Sequence, residues 1–131
     1  MKPNGYKGPE RRTYIRLEAD YAVNYIKLSN DLKPIGDIIE DAYAKDISGA
    51  GLKFITSEEI PPGSLIEVHA KIPTVSKYIT AIGKVLRCEP DRKKTFAIAM
   101  SFAWITKGDR ELVDEYVKKL KLNILRSETK L

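Results

Sequence analysis

Apolar and polar residues alternate along the middle of the chain with the period of two that is typical of half-buried β-strands. In residues 64–72, four apolar side chains alternate with Glu67, His69 and Lys71. Residues 95–102 repeat this alternation. The pattern therefore predicts two strands that each turn one face toward a core.

Other segments are predicted as strands from their β-branched and aromatic residues, which favour extended backbone. These are residues 21–28, 51–56 and 78–88, whereas residues 38–45 fit a strand or a helix equally well. Gly83, inside the third of these strands, predicts a bulge or a close backbone approach. Turn signals rich in Pro, Gly, Asn and Asp separate the segments at residues 29–36, 61–63 and 90–94.

The C-terminal part changes to a helical period. Thr106, followed three residues later by Asp109, is typical of a helix start with an acid in the first turn. Apolar residues follow at helical spacing, namely Leu112, Val113, Tyr116, Val117, Leu120 and Ile124. Six short strands followed by one amphipathic helix favour a small antiparallel barrel or sandwich. The apolar face of the helix either packs on the strands or offers a surface to a partner.

Length and composition narrow the class of protein. The chain has 131 residues, which fits one domain. Cys88 is the only cysteine and His69 the only histidine, so disulfide scaffolds and zinc sites built from Cys and His are excluded. No apolar run approaches the length of a membrane span, and residues 1–12 contain no stretch typical of a signal peptide. We therefore expect a cytoplasmic protein without membrane insertion.

The net charge of +5 would suit nucleic acid, anionic lipid or an anionic small molecule. It is spread thinly, with +2 in residues 1–20, +1 in 21–106 and +2 in 107–131. No block of five like charges forms a nucleic-acid arm. However, three of the seven arginines lie within six residues, at positions 11, 12 and 16.

The sequence offers little material for catalysis. There is no nucleophile with a paired base, no Gly-rich phosphate loop and no set of metal ligands. We expect His69 to be a solvated histidine, Cys88 to be structural, and Glu58 with Glu59 to be a solvated surface pair. An enzyme is therefore not expected, nor is a metal or a cofactor.

Two short segments carry more chemical information. The first is the arginine-rich run ERRTYIR at residues 10–16, and the second is DISGAG at residues 46–51. The planar guanidinium group of arginine can donate paired hydrogen bonds to phosphate oxygens or to the O6/N7 edge of guanine, and it can also stack on a base. Asp46 can accept hydrogen bonds from N1–H and N2–H₂ of guanine, Ser48 adds a hydroxyl, and Gly51 permits a tight turn or a close ligand approach. Together the segments favour an anion that carries guanine.

Arg12-x-x-x-Arg16 followed by Asp46-x-Ser48-x-x-Gly51 resembles the two-part signature of the PilZ domain family. Further similarity lies in the loop at 61–64, the glycine-centred strand at 81–85 and the segment at 99–102, so the resemblance covers roughly residues 10–125. It implies a six-stranded antiparallel β-barrel of the split-barrel type with a C-terminal helix. The implied boundaries are an N-terminal arm at 1–11 and one domain at 12–131, with the barrel at about 20–104 and the helix at about 107–125.

The resemblance also implies a receptor for the bacterial second messenger cyclic di-GMP. It assigns ligand binding to Arg12, Arg16, Asp46, Ser48 and Gly51. Arg11, just ahead of the motif, is a further candidate that could stack on a base, and Gly49, Gly83 and Lys84 are additional candidates. We expect the arm at 1–11 to order over the ligand. Arg11 should favour two stacked ligand molecules over one. Output would pass to an unidentified protein partner, from a monomer or a homodimer.

Two other functions fit parts of the pattern. One is a PilZ-like interaction module that acts without nucleotide in motility or pilus machinery, and the intact signature argues against it. The other is a small barrel that binds single-stranded nucleic acid. That function needs a basic groove lined with aromatic residues, and the charge of only +1 in residues 21–106 argues against it.

Overall fold

The computed structural model describes residues 21–72 and 77–129, which form six strands and one helix. The elements are β1 (Ala22–Leu28), β2 (Pro34–Ser48), β3 (Gly51–Thr56), β4 (Leu65–Ile72), β5 (Lys77–Pro90), β6 (Phe96–Ile105) and α1 (Lys107–Thr129). All paired strands are antiparallel, and they close into a barrel in the order β1-β2-β3-β6-β5-β4. The six-stranded barrel with a C-terminal helix is thus confirmed, and residues 38–45 are strand.

The alternation in the sequence becomes the inner and outer faces of the barrel. On β4 the four apolar side chains at 66, 68, 70 and 72 are fully buried, while Glu67, His69 and Lys71 face outward. The interior also holds Tyr25 and Phe54, whose ring centroids lie 5.3 Å apart. Apolar side chains fill the interior, which leaves the outer surface of the barrel for polar functional groups.

Helix α1 begins where the sequence predicts and packs on the barrel. The Asp109 backbone N–H donates to Thr106 Oγ1 (3.1 Å), which is an N-cap. The Asp109 carboxylate accepts hydrogen bonds from the Thr80 backbone N–H (3.1 Å) and Lys77 Nζ (3.3 Å), so the helix start is tied to β5. Tyr116 is buried edge-on against Tyr21. The helix continues to residue 129, beyond the predicted end near 125.

The turn between β1 and β2 is shorter than the predicted segment 29–36. Hydrogen bonds from Ser29 N–H to Lys33 O and from Leu32 N–H to Ser29 O close it, and Leu32 adopts a φ of 65°. Strand β2 already begins at Pro34. Proline is tolerated at this position because it is the first residue of the strand. Residues 30–38 are all exposed, so the β1–β2 hairpin extends beyond the barrel.

The prediction of a solvated pair at Glu58 and Glu59 is wrong for Glu58. Its carboxylate accepts hydrogen bonds from the buried Tyr25 hydroxyl (2.7 Å) and from Lys27. The same hydroxyl lies 3.0 Å from Thr56 Oγ1. Burial alone raises the pKa of Glu58, but the hydrogen bonds from Lys27 and Tyr25 outweigh it and hold this pKa below its ordinary value.

This lowered pKa predicts an acid-sensitive contribution to stability. Because the pKa is below 4.5 only in the folded state, the contribution is complete above that pH and is lost as the pH falls through the folded-state pKa. Glu58→Gln should therefore destabilise the protein at about pH 7 and differ much less from wild type at about pH 3. Urea unfolding at both pH values tests this, with Glu59→Gln as the exposed control. If E58Q lost the same free energy of unfolding at both pH values, the prediction would be wrong.

Candidate ligand-binding site

The Asp46–Gly51 segment forms the hairpin between β2 and β3. Ser48 pairs with Gly51, which leaves Gly49 and Ala50 as a two-residue connection. The Ser48 hydroxyl accepts a hydrogen bond from the Ala50 backbone N–H (3.2 Å), so its position is fixed by the turn itself. Asp46 and Ser48 are both exposed, with buried Ile47 between them. The structure thus presents the two predicted polar side chains together on the outer face.

A shallow groove of about 220 Å³ runs across the barrel beside this hairpin. Its lining residues are Asp46, Ile47, Ser48, Gly51, Leu52, Lys53, Arg87 and Ala99. Sequence reasoning missed Lys53 and Arg87, because they lie on different strands, 34 positions apart. The one sequence feature that indicates an outward-facing Lys53 is its place between the apolar residues Leu52 and Phe54.

Gly51 and Gly49 both lie close against neighbouring elements, but only at Gly51 would an added Cβ meet backbone. A Cβ on Gly51 would lie 2.3 Å from the Met100 carbonyl oxygen of β6, so β3 approaches that strand too closely for any larger residue. A Cβ on Gly49 would lie 2.6 Å from Asp114 Oδ1 of α1. The Gly49 carbonyl also accepts a hydrogen bond from Arg110 Nη1 (2.6 Å). The hairpin is therefore in direct contact with the helix.

A second cleft, of about 350 Å³, lies between the hairpin and α1. It is lined by Ser48, Gly49, Asp114, Val117, Lys118 and Lys121. Ser48 lines both clefts, so a ligand that reaches its hydroxyl lies at the junction of the barrel and the helix. Lys118 and Lys121 add positive charge on the helix side.

Gly83 and Lys84 do not line either cleft. A Cβ on Gly83 would lie 2.0 Å from the Ser101 carbonyl oxygen, and the β5–β6 register shifts between Ile82 and Gly83. The predicted bulge and close backbone approach are both confirmed. Lys84 is exposed and pairs with Leu65 and Ser101. The three arginines at 11, 12 and 16 lie outside the described residues.

The other chemically notable residues lie elsewhere. His69 is half exposed, with Nε2 2.8 Å from Glu67 Oε2 and Nδ1 3.2 Å from Thr80 Oγ1. Cys88 is a free thiol that is partly buried against the core. In residues 21–72 and 77–129, no group of His, Cys, Asp or Glu is arranged to hold a metal ion. Within those same ranges no helix has the apolar length for a membrane span.

The described residues thus form a closed barrel with an exposed groove beside the β2–β3 hairpin. The family model for the PilZ domain matches residues 10–119, and the chain belongs to this family. PilZ is a family of cyclic di-GMP receptor domains that act as binding and effector modules rather than as enzymes. The match includes the three N-terminal arginines, the hairpin and most of α1.

Solved structures show the same fold. The Bacillus subtilis inhibitor of motility (MotI/DgrA) matches with a TM-score of 0.63 at 15% sequence identity, over 81% of this chain and 48% of that chain. The present chain thus spans about half the length of that protein. No curated protein matches the sequence significantly.

Proposed function

We propose that this protein is a cyclic di-GMP receptor that binds its ligand beside the β2–β3 hairpin and signals to a partner protein. The observation that carries the proposal is the intact signature, Arg12-x-x-x-Arg16 with Asp46-x-Ser48-x-x-Gly51, whose second half borders an exposed groove. Family membership over residues 10–119 supports the same ligand. The expected location is the cytoplasm.

Each residue has a distinct chemical role in this proposal. Asp46 accepts from N1–H and N2–H₂ of one guanine, and in the described part of the chain its carboxylate has no ion-pair or hydrogen-bond partner that would compete. Ser48 offers its hydroxyl, while Arg12 and Arg16 bind phosphate and guanine. Arg11 stacks on a base and favours a second, stacked ligand molecule.

Signal output is proposed to use two parts of the chain. The arm at 1–11 orders over the ligand and changes the surface. The helix α1 responds to the hairpin, and the hydrogen bond from Arg110 to the Gly49 carbonyl supports this route. The partner then binds the altered surface of a monomer or a homodimer.

Calorimetric titration of the purified protein with cyclic di-GMP tests the proposal, with GTP and cyclic AMP as controls. We expect saturable binding of cyclic di-GMP at two molecules per chain and far weaker binding of both controls. A folded protein that gives no saturable binding would refute the receptor function. A ratio of one ligand per chain would refute only the stacked pair.

The alternative is an interaction module that works without nucleotide in motility or pilus machinery. The name of the structural neighbour, an inhibitor of motility, fits such a setting. The intact signature favours the receptor, and the same titration separates the two functions.

A further inference from the structure

The pairing registers place four side chains in one row on the outer face of the barrel. Asp46 of β2 lies opposite Lys53 of β3, and Lys53 lies opposite Ala99 of β6. Ala99 in turn lies opposite Arg87 of β5. All four residues line the groove beside the hairpin. The row therefore crosses four strands, with one acid at its end and a small residue between two cations.

Two β-bulges produce this row. The β2–β3 register shifts between Ala44 and Asp46, so Asp46 rather than Lys45 faces Lys53. The β5–β6 register shifts between Val85 and Arg87, so Arg87 rather than Leu86 faces Ala99. Bulges of this kind re-aim side chains and are frequent next to functional sites. Without them the row would hold Lys45 and Leu86 and would lose both its acid and its arginine.

The spacing of the row suits a phosphate. Neighbouring strands lie about 4.8 Å apart, so the Cα atoms of Lys53 and Arg87 are separated by roughly 10 Å. Ala99 contributes only a methyl group between them, and both cationic side chains are exposed and long enough to converge above it. In residues 21–72 and 77–129 neither cation forms an ion pair, whereas Lys27, Lys33 and Lys77 do. An anion that binds above Ala99 would therefore meet two uncompensated donors.

We propose that Lys53 and Arg87 form a phosphate clamp, which holds a phosphodiester group of the ligand whose guanine binds Asp46. The clamp rests on the proposed receptor function and adds two binding residues that the two-part signature does not contain. Arg87 offers a bidentate fork to two phosphate oxygens, and Lys53 acts as a point charge. The row from Asp46 to Arg87 spans about 14 Å, enough to hold one nucleotide across the strands.

Titration of Lys53→Gln and Arg87→Gln with cyclic di-GMP tests the clamp. We expect each substitution to weaken binding about 10-fold and the double substitution about 100-fold, because each removes one charge-assisted contact at an exposed site. Lys71→Gln on β4 and Arg92→Gln in the β5–β6 loop are the matched controls, since they remove the same exposed charges away from the row. Thermal unfolding confirms that all variants fold.

The ³¹P NMR spectrum of the bound ligand tests separately whether Lys53 and Arg87 contact its phosphate. The ³¹P resonance of the bound ligand should differ between wild type and both groove variants and stay unchanged in both controls. Affinities of the groove variants within about twofold of wild type would overturn the clamp. In that case binding by wild type, together with its loss in Asp46→Ala, would leave the receptor function standing. Failure of wild type to bind cyclic di-GMP would overturn both proposals.

Discussion

Replacing Gly83 with alanine should lower the free energy of unfolding by about 3 kcal/mol, at the upper end of the range for overpacking in a core. A change of this size corresponds to a fall in Tm of roughly 10 °C for a domain of this length. The new Cβ would lie 2.0 Å from the Ser101 carbonyl oxygen and 2.6 Å from Met100 Cε. The methionine can move, but the carbonyl belongs to the backbone of β6, so the two strands must separate.

Gly108→Ala is the matched control for this experiment. A Cβ on Gly108, in the first turn of α1, would meet no atom within 4 Å, and alanine is the better helix former. We expect this substitution to raise the free energy of unfolding by about 0.5–1 kcal/mol. Urea unfolding of both variants measures the difference. Equal stabilities of G83A and G108A would show that β5 and β6 tolerate the added methyl group.

The same geometry changes how variants at Gly51 are interpreted. Gly51 lies on the other side of β6 from Gly83, and its Cβ would lie 2.3 Å from the Met100 carbonyl oxygen. A larger residue at 51 should therefore destabilise the barrel as well as weaken ligand binding. Binding losses at Gly51 therefore combine effects on the fold and on the site, whereas losses at Asp46, whose side chain is exposed, report on the site.

Local pattern was enough to predict most of the fold. The alternation in β4 and the Thr106–Asp109 helix start each depend on neighbours in sequence, and both agree with the structure. The start of β2 at Pro34 was not predictable from the same signals. Pro34 and Gly36 are typical of turns, but Pro34 and Ile35 pair with Leu28 and Lys27 of β1, and Gly36 adopts a positive φ of 76° inside the strand.

The candidate site was predictable only where a motif is contiguous. Asp46 and Ser48 lie in one hairpin, so a short spacing predicts that they act together. The contributions of Lys53 and Arg87 depend on the registers of β3, β6 and β5, and on a bulge whose position does not follow from the sequence. Cross-strand neighbours and bulges are long-range properties of the closed barrel, which local spacing does not encode.

Replacing Arg12 or Asp46 with alanine should each weaken cyclic di-GMP binding by about 10- to 150-fold, the loss expected for one charge-assisted hydrogen bond worth about 1.5–3 kcal/mol. Arg92→Ala and Asp91→Ala, in the exposed β5–β6 loop, are the matched controls and should bind like wild type. Unchanged affinity in both R12A and D46A would exclude these positions from the site.

A comparison of two ligands separates the roles of Arg12 and Asp46. In the proposed site the Asp46 carboxylate accepts from N1–H and N2–H₂ of guanine, and adenine has neither group, so D46A should reduce the preference for cyclic di-GMP over cyclic di-AMP. The role proposed for Arg12 is to bind phosphate, which both ligands share, as well as guanine, so R12A should weaken both and change the preference less. Calorimetry with each ligand measures the two preference ratios. If D46A kept the preference of wild type while losing affinity, its carboxylate would contact a group that the two dinucleotides share, and guanine selection would belong to the arginines.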